Sequence, residues 1–226
     1  GIGFITWSLA QKPELLDLAL DRSPAALMLS FGDPTPFVDK IRRTSAKLIA
    51  QVQTVAQARM AIAAGTDVIV AQGTEAGGHG GARATLPLVP AVLDMAGDTP
   101  VVAAGGIADG RGLAAALALG AAGVMCGTVF FASAEALAHD SAKQAAIAAS
   151  GDDTERGSAF DIVRGLDWPE DWNLRTLRNA FTAEWSGDTA GLKRDLDRQR
   201  ARFEAARAAG DTDIAAVIVG EAIDMV

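Results

Sequence analysis

A single cysteine, Cys126, excludes an internal disulfide framework and suits a reducing compartment. Histidine is almost as scarce. His79 and His139 lie far apart, and no His-x-x-x-His or Cys/His cluster offers ligands for zinc, so no metal site is expected. Basic residues are outnumbered, 20 Lys and Arg against 28 Asp and Glu, for a formal charge of −8 and a pI near 4.7. That balance argues against a nucleic-acid partner, which calls for Lys and Arg clustered on one face. No uninterrupted apolar run reaches roughly 18 residues, and the start shows no basic region followed by a hydrophobic segment and a cleavage site. The expectation is a cytoplasmic protein with no membrane association; on oligomeric state the sequence is silent.

What the chain does have is apolar content, half of its 226 residues, enough to bury a substantial core. Short apolar runs at residues 2–7, 25–31, 47–51, 67–71, 100–104 and 122–128 alternate with Ala-rich amphipathic segments, the pattern of repeated strand and helix units. Pro13 suits a first helical turn, Thr54 a cap with Gly65 as stop, and Asp109 precedes a helix that Gly120 ends. Strands this uniformly apolar must be buried on both faces, which is the condition of a parallel sheet. The predicted fold class is α/β, a TIM-type (β/α)8 barrel. Six strand candidates are two short of eight, so the first two strands are expected upstream of Gly1. The alternative is an open, doubly wound sheet, disfavoured because residues 2–7 would form an exposed apolar edge.

Composition shifts after Ser150. Trp168, Trp172 and Trp185 are scattered, and a charged helix follows over about 189–209, with Arg194, Asp195, Asp197, Arg198 and Arg200 on a solvated face. Residues 1–150 are therefore read as the partial barrel that carries the site, and 151–226 as a helical cap in which the tryptophans pack.

Chemistry concentrates in Val68-Ile69-Val70-Ala71-Gln72-Gly73-Thr74-Glu75-Ala76-Gly77-Gly78-His79-Gly80-Gly81. An apolar run ends abruptly in a loop of five glycines around a histidine. Glycines let backbone approach a flat ligand, and imidazole exchanges a proton near neutral pH, so His79 is a candidate base. A second constellation is Val101-Val102-Ala103-Ala104-Gly105-Gly106-Ile107-Ala108-Asp109-Gly110, followed by Met125-Cys126-Gly127-Thr128. In barrels the loops after the last two strands commonly hold a phosphate through backbone N–H groups and a helix N-terminus. Gly105 and Gly106 remove side chains that would block an anion, and Thr128 adds a hydroxyl beside the Gly127 amide. Glu75 reads as a loop brace, Asp152-Asp153 as a turn, Cys126 as a small buried residue and His139 as surface.

With these residues assembled, the chain resembles the nitronate monooxygenase family, formerly 2-nitropropane dioxygenases. The likeness runs through Gly3-Phe4-Ile5-Thr6-Trp7, Leu29-Ser30-Phe31-Gly32-Asp33-Pro34, Gln51-Val52-Gln53-Thr54, the Gln72-to-Gly81 loop, Ala103 to Gly106 and Gly127-Thr128. It continues in Val163-Arg164-Gly165-Leu166, Arg175-Thr176-Leu177-Arg178-Asn179 and Gly220-Glu221-Ala222. The Glu75-Ala76-Gly77-Gly78-His79 string is its most specific element.

The resemblance implies an FMN-dependent oxidoreductase that converts alkyl nitronates, or nitroalkanes, and O2 into a carbonyl compound and nitrite. By that analogy Gly105, Gly106, Gly127 and Thr128 fit the FMN phosphate. Gln51 and Gln72 fit the ring and ribityl chain, since a carboxamide both donates and accepts. Gly77 and Gly78 leave room for the ring face, His79 acts as base or orients the anion, and Ser30 is either a donor to the nitro oxygens or a turn cap. Two alternatives stay open. One is an FMN-dependent NAD(P)H reductase of quinones or enoyl thioesters; the other is a flavin-free scaffold or incomplete fragment.

Overall fold

The structure, a computed structural model, describes residues 1–226. Its nine strands are β1 (Ile2–Ile5), β2 (Ala26–Ser30), β3 (Lys47–Val52), β4 (Val68–Gln72), β5 (Gly78–Gly80), β6 (Val101–Ala104), β7 (Gly123–Met125), β8 (Thr154–Gly157) and β9 (Asn173–Leu177). The chain gathers into two compact units, and each sheet belongs to one of them.

The first unit comprises Gly1–Thr74, Ala82–Ala104 and Leu113–Met125. Its sheet is parallel throughout, in the order β1-β2-β3-β4-β6-β7. All six strands fall on the apolar runs read from the sequence. A doubly wound sheet reverses its strand order at a switch point, whereas this order only advances, as in a TIM-type α/β fold. The order sets aside the doubly wound alternative, while the six strands themselves leave two edges, β1 and β7. Leu27, Leu29, Leu48, Ala50, Ile69, Ala71, Val101 and Ala103, which the register places on one face, are all buried, whereas on the other face Val70 is buried and Met28, Ile49 and Val102 are half-buried.

The helix stops are those the residues suggest. Thr54 and Gln57 form a reciprocal capping box at the head of Val55–Ala63, and Gly65 and Gly120 follow their helices with φ of 70° and 100°. Two strand ends fall short of the sequence reading. Residues Thr6–Leu9 turn helical directly after β1, and Thr128 opens a short helix, Thr128–Phe131, rather than closing β7.

The second unit comprises Glu75–Gly81, Gly105–Gly112 and Cys126–Val226. Beside the helices expected over 151–226, it contains strands. An antiparallel sheet, β5-β9-β8, runs through it, pairing His79 with Leu174 and Arg156 with Arg175. The strands Thr-Glu-Arg-Gly and Asn-Leu-Arg-Thr-Leu escape a reading by apolar run, because the half-buried Arg156 and the buried Arg175 occupy positions where an aliphatic residue signals a strand.

The charged segment is also two helices, Thr189–Arg194 and Leu196–Ala209, not one. They part at Asp195, whose backbone leaves the helical region and whose carboxylate accepts from Arg198 and Gln199. Phe160, Phe181 and Phe203 centre this unit's core, with ring centroids 5.3 to 6.3 Å apart, and Val163, Leu174, Leu192 and Ile214 complete it. Trp185 packs at its margin. The unit also draws in the glycine loop and residues 126–150, which the sequence reading assigned to the barrel. The reason is β5, which is hydrogen-bonded to β9 and so ties the His79 loop to the later part of the chain.

Candidate active site

Polar side chains line up at the C-terminal ends of β2, β3 and β4. Ser30 Oγ donates to Gln51 Oε1 at 3.2 Å, and Gln51 Nε2 donates to Gln72 Oε1 at 2.6 Å. Gln53 Nε2 donates to the same Gln72 oxygen at 2.9 Å. The parallel register explains the row, since Ser30 and Gln51 are direct partners across β2 and β3. The first unit thus brings together Ser30, Gln51 and Gln72, and adds Gln53, which the sequence analysis quoted within a motif without giving it a role.

Gln53 is only 1% exposed, and its Oε1 meets no donor. An orphaned buried carbonyl costs roughly 1–3 kcal/mol, an expense more typical of sites than of inert cores. Immediately after Ser30, Phe31 adopts φ of 64° and Gly32 φ of 147°. Such a left-handed conformation is uncommon for an aromatic residue and sharply ends the strand behind the Ser30 hydroxyl.

Four loops are knitted together in the second unit. The Glu221 amide donates to the Glu75 carbonyl at 2.9 Å, and the Gly220 amide to Thr128 Oγ1 at 2.9 Å. A Cβ on Gly77 would lie 2.4 Å from the Val219 carbonyl carbon, so glycine there is required by backbone against backbone. Gly78 is required for another reason, a φ of 80°. These demands are internal to the fold, where the sequence alone suggested space for a ligand. Gly105 and Gly106 have φ of 96° and 69°, and a Cβ on Gly106 would press on the Glu75 side chain at 3.1 Å. The second unit therefore gathers Gly77, Gly105, Gly106, Gly127 and Thr128 around Glu75 and Gly220.

His79 lies on β5, and its loop is held by Arg156. That guanidinium donates to the carbonyls of Ala76 at 2.9 Å, Gly78 at 3.2 Å and Asn173 at 2.7 Å. A Cβ on Gly80 would come within 2.6 Å of it, so Gly80 is small to admit the clamp. Burial, with the neighbouring Arg175 charge, pushes the Arg156 pKa down to about 10 against the pull of Glu221 and Glu75. It remains a cation at neutral pH.

The imidazole itself has a buried carboxylate and an indole for neighbours. Its Nε2 lies 3.1 and 3.0 Å from the two oxygens of Asp161, a residue only 3% exposed. Trp168 stacks on the ring, centroids 3.5 Å apart and planes within 10°. Asp161, Trp168 and Trp172 also line a cleft of about 700 Å³ within this unit. None of Asp161, Trp168 or Arg156 was singled out for the site from sequence. Each meets the loop from 80 or more positions away along the chain, and no local spacing encodes that.

Comparison with known proteins decides the family. The match to nitronate monooxygenase covers residues 7–226. This chain belongs to the nitronate monooxygenase family. A nitronate monooxygenase of Metarhizium robertsii is 36% identical over 93% of the chain and 62% of its own length. A carboxyl-CoA dehydrogenase of Rhodococcus jostii acting on an octahydro-indene skeleton is 40% identical over 84% of the chain and 59% of its own length. Among solved structures, the nitroalkane oxidase of Streptomyces ansochromogenes superposes with a TM-score of 0.79 at 31% identity, covering 93% of this chain and 61% of that one. The chain thus spans about three fifths of the length of these proteins.

The family points to a flavin, and the residues present fit one. The first unit offers a carboxamide row with both donors and acceptors, including a buried acceptor that lacks a donor. The second offers the glycine turns at Gly105, Gly106 and Gly127, where no side chain stands in the way, and a threonine hydroxyl whose own proton is not used in its bond to Gly220.

Proposed function

We propose that this nitronate monooxygenase family member is an FMN-dependent oxidase of alkyl nitronates, and of the parent nitroalkanes, with O2 as co-substrate. The observation that carries the reading is the His79 environment: an imidazole on a clamped glycine loop, backed by a buried carboxylate and an indole face. FMN, when bound, supplies the electron-transfer chemistry by which nitronate and O2 become a carbonyl compound and nitrite.

The chain's own residues bind and position. Gln51 and Gln72 serve the isoalloxazine and ribityl groups, while Gly105, Gly106, Gly127 and Thr128 serve the phosphate. Gly77 and Gly78 shape the loop that presents His79. Ser30 Oγ already donates to Gln51, so its proposed part is to orient that carboxamide, with its lone pairs left to accept. His79 removes the α-proton of a neutral nitroalkane, whose acidity comes from delocalisation into the nitro group. Toward a preformed nitronate the same ring orients the anion. The single cysteine supports a cytoplasmic location, and no helix is long and apolar enough to cross a membrane.

A second reading has a specific observation behind it, the carboxyl-CoA dehydrogenase relative. An anaerobic titration followed by visible absorbance separates the two. Purified protein carrying FMN should bleach with a primary alkyl nitronate and stay coloured with NADH or NADPH. Bleaching by a pyridine nucleotide alone would favour the reductase reading, and a colourless protein that takes up no added FMN would end both. His79→Asn should keep FMN bound and lose about 100-fold or more in turnover of a neutral nitroalkane. Equal rates for variant and parent would remove His79 from the chemistry.

A further inference from the structure

We propose that Ser30, Gln53 and Gln72 hold the Gln51 carboxamide in one orientation, so that it presents an acceptor and a donor side by side and reads an N–H next to a carbonyl. In FMN that edge is the ring N3–H with an adjoining C=O. The proposal rests on the reading of FMN as cofactor, and it names the ring edge and the residue that selects it.

A primary carboxamide has two lone pairs on oxygen and two hydrogens on nitrogen. Gln51 commits one of each: its Oε1 accepts from Ser30 Oγ at 3.2 Å, and its Nε2 donates to Gln72 Oε1 at 2.6 Å. No other side-chain hydrogen bond draws on it, and it is half-buried rather than sealed in the core. Because β2 and β4 flank β3, the two partners take the group from opposite sides. Partners at the flanks occupy the positions beside the stem. The lone pair and N–H left over therefore lie together on the edge turned away from it.

The neighbours decide which way round the group sits. Gln72 Oε1 also accepts from Gln53 Nε2 at 2.9 Å, which fills both lone pairs of that oxygen and fixes it toward β3. Gln53 is 1% exposed and leaves its own carbonyl without a donor, so its alignment serves Gln72 and not a need of its own. With an oxygen offered from β4 and a hydroxyl proton from β2, Gln51 must turn its nitrogen to the first and its oxygen to the second. The opposite orientation would set its carbonyl against the Gln72 carbonyl, oxygen to oxygen.

Only one edge of the oxidised isoalloxazine complements such a group. N1 and N5 accept and do not donate, and the dimethylbenzene edge does neither. N3–H, between C2=O and C4=O, offers a donor beside an acceptor and pairs with a carboxamide through two hydrogen bonds.

The probe is 3-methyl-FMN, in which a methyl group replaces that hydrogen. Flavin-free protein is titrated with FMN and with the analogue, and binding is followed by the change in flavin fluorescence. The parent should bind FMN at least about tenfold more tightly; equal affinities would overturn the proposal. Gln51→Met keeps the length of the side chain without its polar atoms, and should bring the two flavins within about twofold of each other. A preference that survives in Gln51→Met would mean that shape alone excludes the methyl group, which also overturns it.

Ser30→Ala and Gln53→Leu should each cut the preference about threefold or more, and Ser30→Thr, which retains the hydroxyl, should restore it. A residue that only supports the fold would weaken both flavins alike and leave their ratio unchanged, so an unchanged ratio in both variants would overturn the orienting roles. A parent that binds neither flavin ends the FMN reading. One that binds both alike keeps FMN and ends this proposal alone.

Discussion

At the scale of single residues, the glycine loop shows how one residue type answers different physical demands. Gly78 needs its left-handed φ, Gly80 makes way for the Arg156 guanidinium, and Gly77 lies against the Val219–Gly220 backbone. The string around His79 is conspicuous in the sequence, yet these three causes are not, because each involves an atom far along the chain or a torsion the letters do not print. Gly77→Ala tests the third. Its Cβ would sit 2.4 to 2.8 Å from backbone atoms that cannot rotate away, unlike a flexible side chain. A loss of about 1–3 kcal/mol in unfolding free energy is expected from urea titration. A variant as stable as the parent would show that residues 219–220 yield without cost.

Among elements, two contacts show how strands are tied at their ends. Asp67, just before β4, accepts from Lys47 Nζ at 2.7 Å and from the Leu48 amide at 2.9 Å, binding the starts of β3 and β4. The Lys47 hydrogen bond, with the Leu48 amide second, holds its carboxyl below the ordinary value of 3.8. A depressed folded pKa means the unfolded chain takes up the proton first. The contribution is therefore fully present above about pH 4 and is lost as pH falls from 3.8 through the lower folded value. Because the carboxylate is about one third exposed, solvent screening keeps it under roughly 1 kcal/mol. Asp67→Asn should be less stable than the parent at pH 7, and the gap should narrow by pH 3. A gap that widens on acidification would contradict this account.

Arg156 does the corresponding work for β5. Arg156→Met strands the carbonyls of Ala76, Gly78 and Asn173, at a cost of about 2 kcal/mol or more, and should release hydrogen-exchange protection in the 76–80 segment. Unchanged protection there would mean that the β5 to β9 ladder alone holds the loop. Sequence pattern could flag neither β8 nor β9, since Arg156 and Arg175 at covered positions make them look like loop.

For the whole molecule, the two units have separate cores, one around Leu27, Leu48 and Ile41, the other around three phenylalanines. The chain passes from one unit to the other repeatedly, so a cut after Ser150 does not separate them. Phe181→Ala removes a fully buried ring flanked by Phe160 and Phe203, a change worth about 3–5 kcal/mol. Hydrogen exchange should show that loss chiefly in the second unit, across residues 159–214, with β2 to β4 less affected. An equal loss in both units would show that they unfold as one cooperative body.

The sequence by itself determined the βα repeat, the six parallel strands, the helix stops and the positions of the glycine and carboxamide motifs. Each of these is a local consequence of apolar periodicity, capping and turn chemistry, which neighbouring residues encode. Only the tertiary structure decided that the later part of the chain contains a sheet, that this sheet takes His79 as a member, and that Asp161, Trp168 and Arg156 attend it. Those pairings are set by which distant groups share a buried space, where a charge must find a partner because water is excluded.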